Sequence, residues 1–353
     1  MQSRKSILIT GGAGFVGSNL IEVLLKKTNF NIISLDNYSS GTKKNHIKNN
    51  RIKYLNGDTK NIFNIIKKPK KIHSVFHFGE FARIYQSFLK LNECIDSNTI
   101  GSNSVFNFCL KNKIKLIYSA TSATLGNKGN DKNLSPYAFT KAKNLELLEN
   151  LKNWFNFKYE VIYFYNVYGP RQISQGNMAT IIGIFENLYK SGKPLTVVRP
   201  GTQTRRFTHV QDTVDICYLA WKKNKCKHYS ISNKKSYSIN EVAKMFNAKI
   251  KYLPSRPGER YASALINSNL SNKVHRYFSK IRPSFFLFFY IHLGCLTLSC
   301  LHTRIFFIND VNLTSTFNNF VINISFFEGF KGTNYFHKTF FFLSLATTYS
   351  SIP

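Results

Sequence analysis

The stretch ILITGGAGFVGSNLIEVLL, residues 7–25, leaves this chain few folds to choose from. Ile7, Leu8 and Ile9 read as a short buried strand that runs directly into Gly11, Gly12, Gly14 and Gly17. From Phe15 onward Phe15, Val16, Leu20, Val23 and Leu24 return at helical spacing. A strand that becomes a helix over glycines exposes backbone N–H groups at the helix N-terminus, where a phosphate binds well. Gly11 permits the tight turn, Gly14 lets the backbone approach a pyrophosphate, and Gly17 lets the helix pack close to the sheet.

The following segment, NIISLDNYSSG, is a second apolar strand over Ile32–Leu35 that ends in Asp36. A carboxylate roughly 20 residues beyond such glycines reaches the ribose 2′-hydroxyl of NAD and repels the 2′-phosphate of NADP. The alternative is that Asp36 merely opens a turn. Further strand-like runs follow at 52–58, 74–80, 115–121 and 160–170, with helical patterns near 92–112 and over 136–155. Such alternation predicts an α/β fold, a Rossmann-type doubly wound parallel sheet with functional residues at the carboxyl ends of its strands. Beyond Pro170 the alternation loosens into a smaller, interleaved C-terminal substrate lobe. The expected division is an NAD-binding domain over 1–170, with later core elements from about 206–240, a mainly substrate-binding lobe over 171–280, and an atypical tail over 281–353.

That tail carries only two acidic residues, Asp310 and Glu328, and is crowded with phenylalanine. Its run at 284–301 is long enough to consider as a membrane span, but no basic anchor follows and neither helical nor strand periodicity is clear. We read the tail as non-native or disordered, such as translation past a frameshift; an anchor or a divergent structured end are the alternatives. The apolar run at Ile7 dissolves into glycines too soon for a signal h-region. Six cysteines show neither metal spacing nor a paired framework, so no metal and a reduced, cytoplasmic setting are expected. The formal charge of +32 is spread along the whole chain and forms no compact basic patch interleaved with aromatics. It therefore argues for no specific nucleic-acid partner, although it would favour an anionic nucleotide substrate.

The chemistry centres on SPYAFTK. Tyr137 and Lys141 are four apart on a helix and share a face, so phenol and ammonium point into one space. A phenol titrates near about 10 and is a poor base at neutral pH unless a neighbouring cation stabilises its anion. On the preceding strand end, YSATSATLGN presents Thr121 and Ser122, hydroxyls able to bridge a substrate oxygen to the phenol.

Residues 5 to about 278 resemble the extended short-chain dehydrogenase/reductase family, in its NAD-dependent epimerase/dehydratase branch. The motifs TGGAGFVGSNL, LDNYSSG, NGD, YAFTK, YNVYGP, RRFTHVQD and RPGE stand in the family's order. The resemblance implies that Phe15 and Val16 lie beneath the pyrophosphate, that Asp36 holds the adenosine ribose, and that Asn37 belongs to the cofactor-binding set. It implies that Asp58 and Thr59 flank the adenine, that Phe78 and Gly79 line the cofactor, and that Asn98 lies near the nicotinamide ribose. Thr121, Tyr137 and Lys141 match the catalytic set, Ser122 and Asn166 match sugar-contacting positions, and Arg205 and Arg256 match arginines that clamp a diphosphate. His77 and His209 read as packed or hydrogen-bonded rather than catalytic.

Departures from the pattern narrow the reading. Ser122 and Ala123 follow Thr121 where dehydratases and related decarboxylases carry an acid, which favours an epimerase. Leu125 replaces a usual tyrosine, Tyr163 a common arginine and Arg206 a usual aspartate, and Glu80 is unexpected in HFGEF. The implied function is an NAD-dependent nucleotide-sugar epimerase working by transient oxidation. A net dehydratase or reductase, or an inactive NAD-binding remnant with a damaged C-terminus, is the alternative. A homodimer is implied through the helices near 92–112 and 136–155. The stripe Leu145, Leu148 and Leu151 is open to that contact or to the core.

Overall fold

The computed structural model describes residues 5–125 and 131–258, and the backbone of the strand Val274–Ser279. The tail over 281–353, expected to be non-native or disordered, lies outside the described residues. The frame is an eight-stranded sheet in which every pairing is parallel. Its strands are β1 (Ser6–Thr10), β2 (Asn31–Asp36), β3 (Ile52–Asn56), β4 (Ile72–His77), β5 (Lys115–Thr121) and β6 (Tyr159–Phe164), followed by His228–Asn233 and Val274–Ser279. Across the sheet the order runs β3-β2-β1-β4-β5-β6, then His228–Asn233 and Val274–Ser279. The chain winds outward in both directions from β1, so β1 and β4 flank a switch point that opens a crevice at their carboxyl ends.

Strict alternation builds the two faces. Leu8, Val75, Leu116 and Val161 enter one core, with Phe106 and Phe108 against them. Their chain neighbours Ile7, Ile9, Phe76, Ile117 and Ile162 enter the other, against Leu20, Leu24, Val210 and Val214. Both faces are apolar because helices cover both, as a parallel sheet requires. Phe15–Lys27 and Val210–Lys223 lie on the second face. Ser102–Lys111 and Pro136–Phe155 lie on the first.

The helix Pro136–Phe155 begins and ends where its sequence dictates. Ser135 accepts from the Ala138 N–H, Pro136 occupies the first turn, and Asn156 closes the helix with φ 52°. Leu148 and Leu151 are buried in the core and Leu145 packs against it, so this stripe serves the sheet rather than an assembly contact.

A smaller lobe surrounds Phe185, Phe207 and Phe246. It contains the helices Ile181–Lys190 and Ile239–Lys244 and a parallel pair, Leu195–Val198 with Ile250–Leu253. Ser238 and Glu241 form a reciprocal capping box on the second helix. No described helix is long and apolar enough to cross a membrane.

Candidate functional site

The crevice at the switch point is a cleft of about 370 Å³ between the sheet's carboxyl edge and the smaller lobe. Its floor is the glycine turn. Gly11 has φ +70°, and a Cβ built on it would lie 2.8 Å from the backbone N of Gly79 and the carbonyl carbon of Phe78. Only glycine allows both this conformation and this approach of the β1 and β4 ends. Gly17 is equally confined, because a Cβ there would meet the Gly11 carbonyl oxygen.

Asp36 leaves the end of β2 and is 7% exposed. One carboxylate oxygen accepts from the Ala13 N–H at 2.9 Å and the other from the Tyr38 N–H at 2.8 Å. Burial pushes this carboxyl up from its usual range, while the backbone donors pull it down. It therefore does open a turn, and it also ties that turn to the glycine loop while lining the cleft. Asn37 donates to Asp58 at 2.9 Å, and Asp58 caps the turn that begins at Thr59.

At the other end of the cleft stand Tyr137 and Lys141, 9% and 3% exposed. The Tyr137 N–H donates to Ser87 Oγ at 3.2 Å, whereas its hydroxyl bonds to no described residue. Thr121 Oγ1 accepts from the Ala123 N–H at 3.2 Å, which leaves its own proton free to be donated. Lys141 Nζ donates to the Ser119 carbonyl at 2.6 Å and to Glu80 Oε2. Asn166 also faces the cleft, held with φ 29° and donating to the Arg206 carbonyl at 3.2 Å. A positive φ away from glycine is uncommon, and asparagine tolerates it better than most residues.

The cleft thus gathers the expected glycines, Phe15, Val16, Asp36, Asn37, Asp58, Thr59, Phe78 and Gly79 with Thr121, Ser122, Tyr137, Lys141 and Asn166. Three expected residues do not line it. Asn98 is fully buried in the π-helical turn Asp96–Gly101. There it accepts from the Phe81 N–H at 2.7 Å and donates to the Phe81 carbonyl at 3.1 Å. It shapes the loop after β4, while its neighbour Ser97 reaches the cleft. Arg205 is buried beside Thr204 in a short pairing with Tyr237, and exposed Arg256 lies over the Tyr85 ring at 4.8 Å.

The departures also find places. Tyr163 and Leu125 belong to the core. Arg206 donates to the carbonyls of Asn233 and Lys234 beyond the seventh strand. His209 caps the helix Val210–Lys223.

Sequence reasoning missed Arg83. Its guanidinium lines the cleft, donates through Nε to the Met178 carbonyl at 2.9 Å, and feels the charge of Tyr137. The signal was its position, three residues past Glu80 at the end of a strand expected to face the site.

Residues 7–232 match the NAD dependent epimerase/dehydratase family. The chain belongs to that family. It is 28% identical to the ADP-L-glycero-D-manno-heptose-6-epimerase of Brachyspira hyodysenteriae, over 67% of this chain and 79% of that one. It is 30% identical to the UDP-N-acetyl-alpha-D-glucosaminuronate decarboxylase of Bacillus cytotoxicus, over 68% and 78%. Among solved structures, the UDP-glucuronic acid 4-epimerase of Bacillus cereus superposes with a TM-score of 0.68 at 27% identity, covering 76% of this chain and 92% of that one. Family membership carries with it NAD-dependent epimerase/dehydratase chemistry on a nucleotide sugar.

Proposed function

We propose that this protein is an NAD-dependent nucleotide-sugar epimerase that inverts a carbinol carbon by transient oxidation. The observation that carries the reading is the union, in one cleft, of the glycine cradle, the Asp36 carboxylate and the Tyr137–Lys141–Thr121 cluster. The residues fit the dinucleotide: a side chain at Gly11 or Gly17 would strike backbone where the pyrophosphate must approach, and Asp36 keeps lone pairs for ribose hydroxyls. Asp36 makes NAD, rather than NADP, the cofactor.

NAD, when bound, supplies the acceptor and donor of a hydride. Tyr137, as phenolate, takes the proton from the sugar hydroxyl and later returns it. Lys141 stabilises that phenolate, and the Thr121 hydroxyl keeps its proton and donates a hydrogen bond to the same sugar oxygen. Ser122 and Asn166 face the sugar from the strand ends. No carboxylic acid follows Thr121, so the cleft lacks at that position the group that would drive water loss. Leu89, Leu91, Ile100 and Phe139 are exposed, which supports a homodimer through these helical faces.

The test of the reaction class is absorbance during turnover on a panel of UDP-, GDP-, ADP- and dTDP-sugars. An epimerase forms product without net NADH, whereas stoichiometric NADH release would overturn the proposal.

A further inference from the structure

Glu80, at the end of β4, places a carboxylate against the ammonium of Lys141; the two side chains are 2% and 4% exposed. Its Oε1 accepts from Ser102 Oγ at 2.8 Å, the Tyr118 hydroxyl at 3.0 Å and Asn144 Nδ2 at 3.3 Å. Its Oε2 accepts from Lys141.

The bonds behind it settle where the protons sit. Thr10 Oγ1 accepts from the N–H groups of Phe78 and Gly79 at 3.2 and 3.1 Å, so its own proton goes to His77 Nδ1 at 2.7 Å. Burial holds the ionisation of His77 down to about 4. The ring is therefore neutral near pH 7 and donates from Nε2 to Ser102 Oγ at 3.0 Å. Ser102 is left to donate to Glu80. Ser102, Tyr118, Asn144 and Lys141 thus all donate to the Glu80 carboxylate.

Lys141 spends two of its three N–H bonds on Glu80 and Ser119, leaving one for the cleft. We propose that Glu80 is a positioning residue that fixes the Lys141 ammonium and offsets its charge, so that the Tyr137 phenol keeps its proton to higher pH than a lone lysine would allow. The inference rests on the reading of Tyr137 as base and Lys141 as its modulator. Among the described residues, the titratable groups around Tyr137 are Lys141 on its own helix, Glu80 and Arg83 after β4, Tyr118 on β5 and Cys94 on the helix Leu91–Ile95, with neutral His77 behind Glu80. Burial raises Tyr118 well above the ordinary phenol range and Cys94 to about 11, so neither carries charge near neutral pH. Arg83 is then the cation beside the phenol whose charge no described carboxylate offsets.

The test needs no sugar. Full-length protein loaded with NAD is titrated by the near-ultraviolet absorbance of phenolate, and the Tyr137→Phe protein is subtracted to isolate Tyr137. Glu80→Gln keeps the shape and removes the charge, so the Tyr137 midpoint falls by about one to two pH units, since an uncompensated ammonium favours phenolate by that order. Glu80→Ala, which removes the acceptor altogether, shifts it the same way. An unchanged or raised midpoint in NAD-loaded, folded variants overturns the proposal. Loss of folding or of bound NAD in both variants also overturns it, showing Glu80 to be a structural strut. A shifted midpoint with no turnover on any sugar leaves the tuning intact and faults the epimerase reading instead.

Discussion

Gly11→Ala is the sharpest structural perturbation of the cleft. Two costs add at this position. An L-residue in the left-handed region loses roughly 1–2 kcal/mol, and Gly11 has φ +70°. The added methyl would also lie 2.8 Å from the backbone of Phe78 and Gly79, which cannot swing aside as a flexible side chain would. Overpacking of this kind costs about 1–3 kcal/mol. The expected loss of stability is therefore about 2–5 kcal/mol, with weakened NAD binding because β1 and β4 are pushed apart at the proposed pyrophosphate site. Gly192→Ala is the matched control. Gly192 has φ +64°, with nothing within 4 Å of a built Cβ, so it should lose only the conformational share, about 1–2 kcal/mol, and keep its NAD. Urea unfolding of both variants, with NAD affinity by calorimetry, separates the two costs. Equal losses and equal NAD affinities would refute the claim that close backbone approach, rather than φ alone, requires glycine here.

Tyr137→Phe should lower turnover by about 10²–10⁴-fold, the usual share of general acid–base catalysis, while NAD stays bound, as single-turnover kinetics and cofactor content would show. Asp36→Ala should weaken NAD binding and narrow its advantage over NADP, because it removes both the ribose acceptor and the repulsive charge; comparative titration of the two cofactors checks this. His77 makes stability sensitive to acid. Its folded-state ionisation lies near about 4, below the 6.5 of a free histidine, so the stability it supports is present above 6.5 and lost as pH falls toward 4. The loss is about 3 kcal/mol at most, measured by urea unfolding across that window and reduced in His77→Gln. Homodimer formation should appear in sedimentation at micromolar concentration, and Phe139→Glu should weaken it.

Much of the frame was legible because local signals agreed. Apolar runs marked β1 to β6, since a parallel sheet buries both faces. Ser135, Pro136 and Asn156 delimit a helix whose caps are written in its own sequence. The cleft residues were legible where the chain's turn chemistry puts them at strand ends, as with Gly11, Asp36, Thr121 and Asn166. What escaped depended on long-range partners. Asn98 sits only a residue from the cleft, but its amide closes on the Phe81 backbone across 17 positions, a partner that motif order does not reveal. Glu80 stood out as unusual, yet its meaning comes from Lys141, 61 positions away, and from the donors that surround it. The position of Arg83 just past a strand end hints at the cleft, but only its long-range bond to the Met178 carbonyl shows how its guanidinium is held. Arg205 and Arg256 were assigned by order in the chain, whereas their settings depend on how the smaller lobe folds.

In the proposed reaction a hydride leaves one carbon of a nucleotide sugar and returns to it. The most direct measurement is proton NMR of the product formed by NAD-loaded protein in deuterated water, with the nucleotide sugar that the panel identifies. The expected product is an epimer that retains protium at the inverted carbon, with no net NADH, because the hydride that leaves is the one that returns. Deuterium at the inverted carbon, or a dehydrated or keto product in place of the epimer, would contradict it.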